Sequence, residues 1–123
     1  RDDPGARREM DRAMKYQHGD LAAGRWRETP LLERMAHIGG EVERALSWRE
    51  RGNAAYSREA FERALELIDL SLQYDGNRAH LKEIARLREI LVDYFRGANE
   101  FNSTDASWRK YFAPFAYASR RNT

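Results

Sequence analysis

Apolar residues recur at alternating spacings of three and four in four separate stretches of the chain, and this period is that of an α-helix with one buried face. The stretches cover residues 30–51, 54–74, 78–96 and 104–120. They are similar in length and are joined by short connections, which favours antiparallel packing of sequence neighbours. The sequence therefore predicts an all-α protein folded as an antiparallel up-and-down four-helix bundle.

Residue types that commonly start or end helices occur at the borders of these stretches. A threonine N-cap followed by proline at the first helical position, residues 29–30, predicts the first helix start. The Gly-Asn pair at 52–53 predicts the end of that helix, and Ser-Thr-Asp at 103–105 predicts a capped start of the fourth. Pro114 should kink or end the fourth helix nearby, because proline lacks a backbone donor.

Two adjacent glycines, Gly39 and Gly40, lie inside the first predicted helix. Glycine lowers helix propensity by about 1 kcal/mol relative to alanine, so a helical glycine usually has a packing reason. We expect either a close approach of another backbone or a bend at this point.

The first 29 residues lack a sustained helical period. Charged residues dominate the first dozen positions, and Gly19 and Gly24 interrupt the following stretch. We expect a poorly ordered leader and docking linker over residues 1–29, with Trp26 docked on the main body. The helical domain is expected over residues 30–121.

Composition excludes several classes of protein. The chain has 123 residues and no cysteine, which predicts one domain without disulfides or thiolate metal ligands. No apolar run approaches the roughly 18 residues of a membrane span, and the charged N-terminus is unlike a signal peptide. We therefore expect a cytoplasmic protein with no membrane association. Its formal net charge of +2 is small, so only a local basic patch could attract nucleic acid.

The stretch WRKYFAPFAYASRR, residues 108–121, combines aromatic and basic side chains. Four of its rings fall on one helical face and are predicted to lie in the core: Trp108, Tyr111, Phe112 and Phe115. This leaves Tyr117 as an exposed ring. We predict that Tyr117 and Trp26 contact a partner protein.

The second predicted helix is acidic and the third is basic. In a hairpin of the two, level positions predict three pairs of opposite charge: Lys82 with Asp69, Arg86 with Glu66, and Glu89 with Arg63. Arg88 is surrounded by apolar positions and should bind Glu43 or Asp69. The cations left without an assigned partner form a candidate nucleic-acid-binding patch: Arg78, Arg96, Arg109, Lys110, Arg120 and Arg121.

Residue patterns for catalysis or metal binding are missing from the sequence. Di-iron bundles need a glutamate followed three residues later by a histidine on two helices, and neither His37 nor His80 has such a partner. No glycine-rich phosphate loop and no nucleophile with a neighbouring base is found. We therefore predict no catalytic residues, metal ligands, cofactor or small-molecule substrate, although the sequence leaves catalysis open.

Two resemblances to known families concern parts of the chain, and a third concerns the chain as a whole. Residues 48–75, WRERGNAAYSREAFERALELIDLSLQYD, resemble one tetratricopeptide unit, which implies a protein-binding scaffold. Arg12 and His18, with five residues between them, resemble the motif of helical RNases and toxins of the HEPN superfamily, which implies an RNase alternative. From KYQHGDLAAGRW to ASWRKYFAPFAYASRR, the chain resembles a small bacterial family of helical proteins without an assigned activity.

In size, basic pI and helix number the chain is also similar to the four-helix accessory proteins of diversity-generating retroelements and to the intervening-sequence proteins of ribosomal RNA genes. That resemblance implies a ring-shaped homo-oligomer that assists a reverse transcriptase or an RNA. The leading hypothesis is therefore a non-catalytic accessory protein that binds a partner protein, further copies of itself or a nucleic-acid backbone.

Overall fold

The computed structural model describes Trp26 and residues 29–121, and the regular structure of this part consists of four long α-helices. We name them α1 (Leu31–Glu50), α2 (Ala54–Tyr74), α3 (Arg78–Arg96) and α4 (Asp105–Arg121). Their bounds lie within one residue of the predicted ones. The predicted all-α four-helix bundle is thereby confirmed, while nearly all of the predicted leader lies outside the described residues.

Side-chain caps define three of the helix starts. Asn53 accepts a hydrogen bond from the backbone N–H of Tyr56 at 2.9 Å and begins α2. Asn77 does the same for α3. Thr104 begins α4, where its hydroxyl and that of Ser107 each accept from the other's backbone N–H. Each contact satisfies a backbone donor that the first turn of a helix leaves unpaired.

The apolar faces of all four helices meet in one core. Its buried residues are Trp26, Met35, Ile38, Val42, Ala45, Leu46, Ala60, Phe61, Ala64, Ile68, Ile84, Leu87, Leu91, Trp108 and Phe112. The C-terminal rings are part of it as predicted, because Trp108 and Phe112 are buried while Tyr111 and Phe115 pack against them. Burial of this apolar surface is the main force that holds the four helices together.

The helices are not equally close to one another. α1 packs along both α2 and α4, and α2 also packs along α3. The backbones of α3 and α4 approach each other much less, so the spatial order is α3, α2, α1, α4. The seam between α3 and α4 is therefore the most open one in the bundle.

Gly39 allows α4 to lie close to α1. A Cβ atom at this position would lie 2.7 to 2.9 Å from the Cδ1, Cγ and Cβ atoms of Phe112. Carbon atoms do not approach so closely, and the Cβ of Phe112 cannot move without its backbone. The close approach at Gly39 is thus made by an aromatic side chain and not, as expected, by another backbone. At Gly40 the nearest atom to an added Cβ is the Arg44 guanidinium, at 3.8 Å.

The two glycines provide a matched pair of substitutions. Gly39→Ala should lower the free energy of unfolding by about 1 to 3 kcal/mol, because the ring of Phe112 is displaced from α1. Gly40→Ala should raise it by up to about 1 kcal/mol, because alanine favours the helix and meets no obstacle. Urea unfolding of both variants measures the difference, and equal effects would contradict this account of the α1–α4 contact.

α4 differs from the prediction at its proline. The helix continues through Pro114 to Arg121, so of the two expected outcomes, a kink or an end of the helix nearby, the end is wrong. Pro114 is exposed and lacks the N–H that would bond the carbonyl of Lys110, one turn earlier. Packing of Phe112 and Phe115 against the core holds the helix on both sides of the missing hydrogen bond.

A buried ion pair joins the start of α1 to the end of α2. Arg34 Nη2 lies 2.6 Å from Asp75 Oδ2, and the two side chains are only 8% and 5% exposed. The same carboxylate accepts from the backbone N–H of Asn77 and lies 3.0 Å from His80 Nδ1. Burial alone would raise the pKa of Asp75, but these hydrogen bonds outweigh it and hold the pKa below its ordinary value.

A lowered pKa in the folded state means that the Asp75 carboxylate stabilises the fold above the ordinary carboxyl pKa of about 3.9. This contribution should be lost as the pH falls through the lower folded pKa. Asp75→Asn should cost about 3 kcal/mol at neutral pH, because it leaves the Arg34 charge buried without its partner. Urea unfolding at several pH values should show a weaker acid dependence for Asp75→Asn than for the wild-type protein. Glu59→Gln, which removes one exposed carboxylate of α2, should retain the wild-type acid dependence.

Candidate interaction groove between α3 and α4

An apolar groove of about 280 Å³ follows the open seam between α3 and α4. Its lining residues are Glu83, Arg86, Leu87, Ile90, Ser103, Ser107, Trp108 and Tyr111. The buried side chains of Leu87 and Trp108 and the half-buried ones of Ile90 and Tyr111 form its floor. Mostly apolar concave surfaces with a few polar groups are the usual sites for ligands or partner chains.

Side chains bridge the seam at two levels. Near the α3–α4 loop, the Tyr94 hydroxyl donates to Asp105, and Arg49 of α1 donates to both of these residues. We call these three residues the Arg49 junction. Further along the groove, the Tyr111 hydroxyl donates to Glu83 Oε1 at 3.0 Å. These contacts join the two helices across the seam.

Both bridging tyrosines are shifted towards their protonated forms. Burial is the largest cause of the raised pKa of Tyr94, and its hydrogen bond to Asp105 adds to the effect. Burial followed by the hydrogen bond to Glu83 raises the pKa of Tyr111 as well. Both hydroxyls therefore stay hydrogen-bond donors across the physiological pH range.

Several cations of α3 and α4 form no ion pair with any residue that the structure describes. Arg78, Lys82 and Arg86 follow one another at spacings of four on α3, and all three are exposed. Lys110 on α4 is exposed beside Tyr111. We call these four residues the basic rim, because Arg86 lines the groove and the others lie on the two helices that form it.

The six residues of the predicted nucleic-acid-binding patch have different surroundings in the structure. Arg109 is held by carboxylates of α1, with Nε and Nη2 at 2.9 and 3.1 Å from Glu43 and Nη2 at 2.5 Å from Glu50. These hydrogen bonds raise the pKa of Arg109 and, despite partial burial, lower that of Glu43. Arg96 lies 3.3 Å from Glu62, with its guanidinium over the ring of Phe61. Arg78 and Lys110 belong to the basic rim, while Arg120 and Arg121 are exposed at the end of α4.

The α2–α3 ion pairs do not follow the predicted register. Asp69 pairs with Arg88 at 2.8 Å, not with Lys82, and Arg63 pairs with Glu41 of α1, not with Glu89. The alternative that Arg88 binds Asp69 is confirmed. Sequence reasoning missed Lys82 and Arg86 as site residues because it assigned them carboxylates on α2.

The two residues predicted to contact a partner have different surroundings. Trp26 is 7% exposed and its indole N–H donates to Ser71 Oγ at 2.7 Å, so its predicted docking on the main body is confirmed. We therefore do not retain Trp26 as a partner contact. Tyr117 is 58% exposed on α4, and Phe101 in the α3–α4 loop is 45% exposed. The exposure of Phe101 was not predicted from the sequence. Its position in a loop with two asparagines was the signal that could have indicated it.

Trp108, on the groove floor, has an unsatisfied polar group. Its indole N–H is buried and has no hydrogen-bond acceptor among the described residues. Leaving a buried donor unpaired costs about 1 to 3 kcal/mol. The ring is therefore kept at this seam by its apolar contacts with Tyr94, Tyr111 and Phe112.

Trp26 and Trp108 form a second matched pair for substitution. Trp26→Phe should lower the free energy of unfolding by about 1 kcal/mol more than Trp108→Phe, because only Trp26 loses a hydrogen bond. Both substitutions remove similar apolar volume, so the difference isolates the indole N–H. Chemical unfolding of the two variants measures it, and a larger loss for Trp108→Phe would show that its N–H has an acceptor.

The described residues contain no group of three or more histidine and acidic side chains that could hold a metal ion. His80 is engaged with Asp75, and His37 is exposed beside the ring of Trp26. The predicted RNase motif, Arg12 and His18, lies outside the described residues. Among the helices that the structure describes, none is long and apolar enough to cross a membrane.

Comparison of the chain with protein-family models, with curated proteins and with solved structures finds no match to any of them. The assignment of the candidate site therefore rests on the geometry of the groove and on the charged residues of the two helices that form it.

Proposed function

We propose that the chain is a non-catalytic accessory protein that binds a partner protein through the groove between α3 and α4. The observation that supports this proposal is the open seam: α3 and α4 leave an apolar groove between them, on whose floor Ile90 and Tyr111 are only half-buried, whereas the other neighbouring helices of the bundle pack more closely. Removal of such a floor from water by a partner is favourable. The partner can be a different protein or a further copy of this chain, as expected for an oligomer.

The charges near the groove favour binding of a specific partner over non-specific hydrophobic association. Glu83 and Arg86 lie at the groove walls, and the two helices that form the groove carry the other three cations of the basic rim. Charged residues around an apolar centre determine partner choice and orientation more than affinity. A partner with complementary charge would therefore dock in one register.

Nucleic-acid binding is the second candidate function, and the basic rim is the observation that favours it. Four cations that form no ion pair with any described carboxylate could neutralise phosphates of a nucleic-acid backbone. Two of the predicted contacts, Arg96 and Arg109, already bind carboxylates of the bundle. The remaining patch is therefore smaller than the sequence indicated, and a protein partner is the better-supported proposal. Assistance to a reverse transcriptase or an RNA would then occur through a protein contact.

Site-specific photo-crosslinking in cells tests the proposed groove. A benzophenone side chain at Ile90, on the groove floor, should form a discrete adduct with one protein. The same side chain at Ala55, an exposed position on α2, is the control and should not form this adduct. Mass spectrometry identifies the captured chain, and an adduct with this protein itself would indicate self-association.

Binding of the identified partner, once purified, is then measured by titration calorimetry. Ile90→Asp should weaken it at least about tenfold, because it places a charge on the apolar floor. Circular dichroism establishes that the variant is still folded. The proposal is wrong if Ile90 and Ala55 give the same adducts, if neither gives any, or if folded Ile90→Asp binds the partner normally.

A further inference from the structure

We propose that the α3–α4 groove binds an acidic amphipathic α-helix of the partner protein, an inference that rests on the proposed function and specifies the chemistry of the partner. It follows from the backbone of the groove walls, from the spacing of the floor residues and from the charges of the basic rim.

The groove walls favour a helix over an extended strand. Both walls are α-helices, Arg78–Arg96 and Asp105–Arg121, whose backbone groups are paired within each helix except at the helix ends and at the Lys110 carbonyl opposite Pro114. An extended segment would find no free sheet edge here, and its own backbone groups would lose water without gaining partners. A helix satisfies its backbone internally, so it can bury one side against the floor at no such cost.

The floor has the spacing of a helix-packing surface. Leu87 and Ile90 are three residues apart on α3, and Trp108 and Tyr111 are three apart on α4. Each pair occupies one side of its helix over about one turn, so the floor runs along the helix axes. An occupant that lies parallel to these axes needs apolar residues at spacings of three and four. Its apolar stripe would then complete the packing that the α3–α4 seam lacks.

The basic rim determines the charge of the occupant. Arg78, Lys82 and Arg86 repel one another by a few tenths of a kcal/mol per neighbouring pair, and no described carboxylate forms an ion pair with them. Glu83 lies among them, but its carboxylate accepts the hydrogen bond of Tyr111. Acidic residues that flank the apolar stripe of a partner helix would relieve this repulsion on α3.

Two occupants from this chain itself fit the charges less well. The acidic side of α2 is the natural candidate in a second copy, but Glu62 and Asp69 are already paired with Arg96 and Arg88. Residues 1–25 carry six basic and five acidic side chains, so that segment does not complement a basic rim. A separate acidic helix therefore matches the groove best.

Synthetic peptides on the full chain test the inference. The probe is a fluorescent peptide of about five helical turns with leucines at spacings of three and four and glutamates on its other face. A second peptide carries lysine in place of every glutamate, and a third has the composition of the first in an order without helical periodicity. Fluorescence anisotropy should show binding of the acidic amphipathic peptide and at least about tenfold weaker binding of the other two.

Charge-reversed variants assign the binding to this groove. Arg86→Glu and Lys110→Glu should each weaken binding of the acidic peptide by about fivefold at low salt, and improve binding of the lysine peptide. Arg58→Glu reverses an exposed charge on α2 and is the matched control, which should leave the binding of both peptides unchanged. Circular dichroism and urea unfolding confirm that the three variants are folded equally.

The inference is overturned if the lysine peptide or the non-periodic peptide binds as well as the acidic one. It is also overturned if Arg58→Glu has the same effect as Arg86→Glu, or if single-stranded RNA displaces the acidic peptide. If no peptide binds, but Ile90→Asp still weakens binding of the partner captured at Ile90, the acidic-helix inference is wrong and the proposed function stands. If no partner is captured at Ile90 either, both are wrong.

Discussion

The contact between the Phe112 ring and Gly39 determines where α4 lies, and the rest of the described surface depends on that placement. α4 has one close backbone neighbour, α1, because its side towards α3 is bridged by side chains alone. The ring occupies the space that a side chain at position 39 would take. α4 is therefore drawn towards α1, and the groove towards α3 is the geometrical result.

Among the described residues, the ion pairs of the arginines also connect the helices that pack closely and not α3 with α4. Glu43 and Glu50 of α1 both bind Arg109 of α4, and Glu41 of α1 binds Arg63 of α2. Asp69 and Glu62 of α2 likewise bind Arg88 and Arg96 of α3. Ion pairs thus reinforce the seams that are already closed. Arg86 on the groove wall forms no ion pair with any residue that the structure describes, so the groove combines an apolar floor with an unpaired cation.

Helical periodicity in the sequence was sufficient to predict the number of helices, their bounds and most of the core. Leu46, Ile68, Leu87 and Phe112 are all buried, because a period of 3.6 identifies the apolar side of each helix. The ion-pair register was wrong because exposed pairs contribute about 0 to 1 kcal/mol and do not determine how helices align. The groove could not be predicted, since the period shows which side is buried but not which two helices remain apart.

The Arg49 junction also affects how the groove could change shape. It fastens α1, α3 and α4 together beside the α3–α4 loop, whereas the other bridge, Tyr111 to Glu83, consists of a single hydrogen bond. Any separation of α3 from α4 would pivot at the fastened end and be widest near Arg78 and Arg121. The bundle could thus admit occupants of different bulk at its far end while the core around Trp108 keeps its packing.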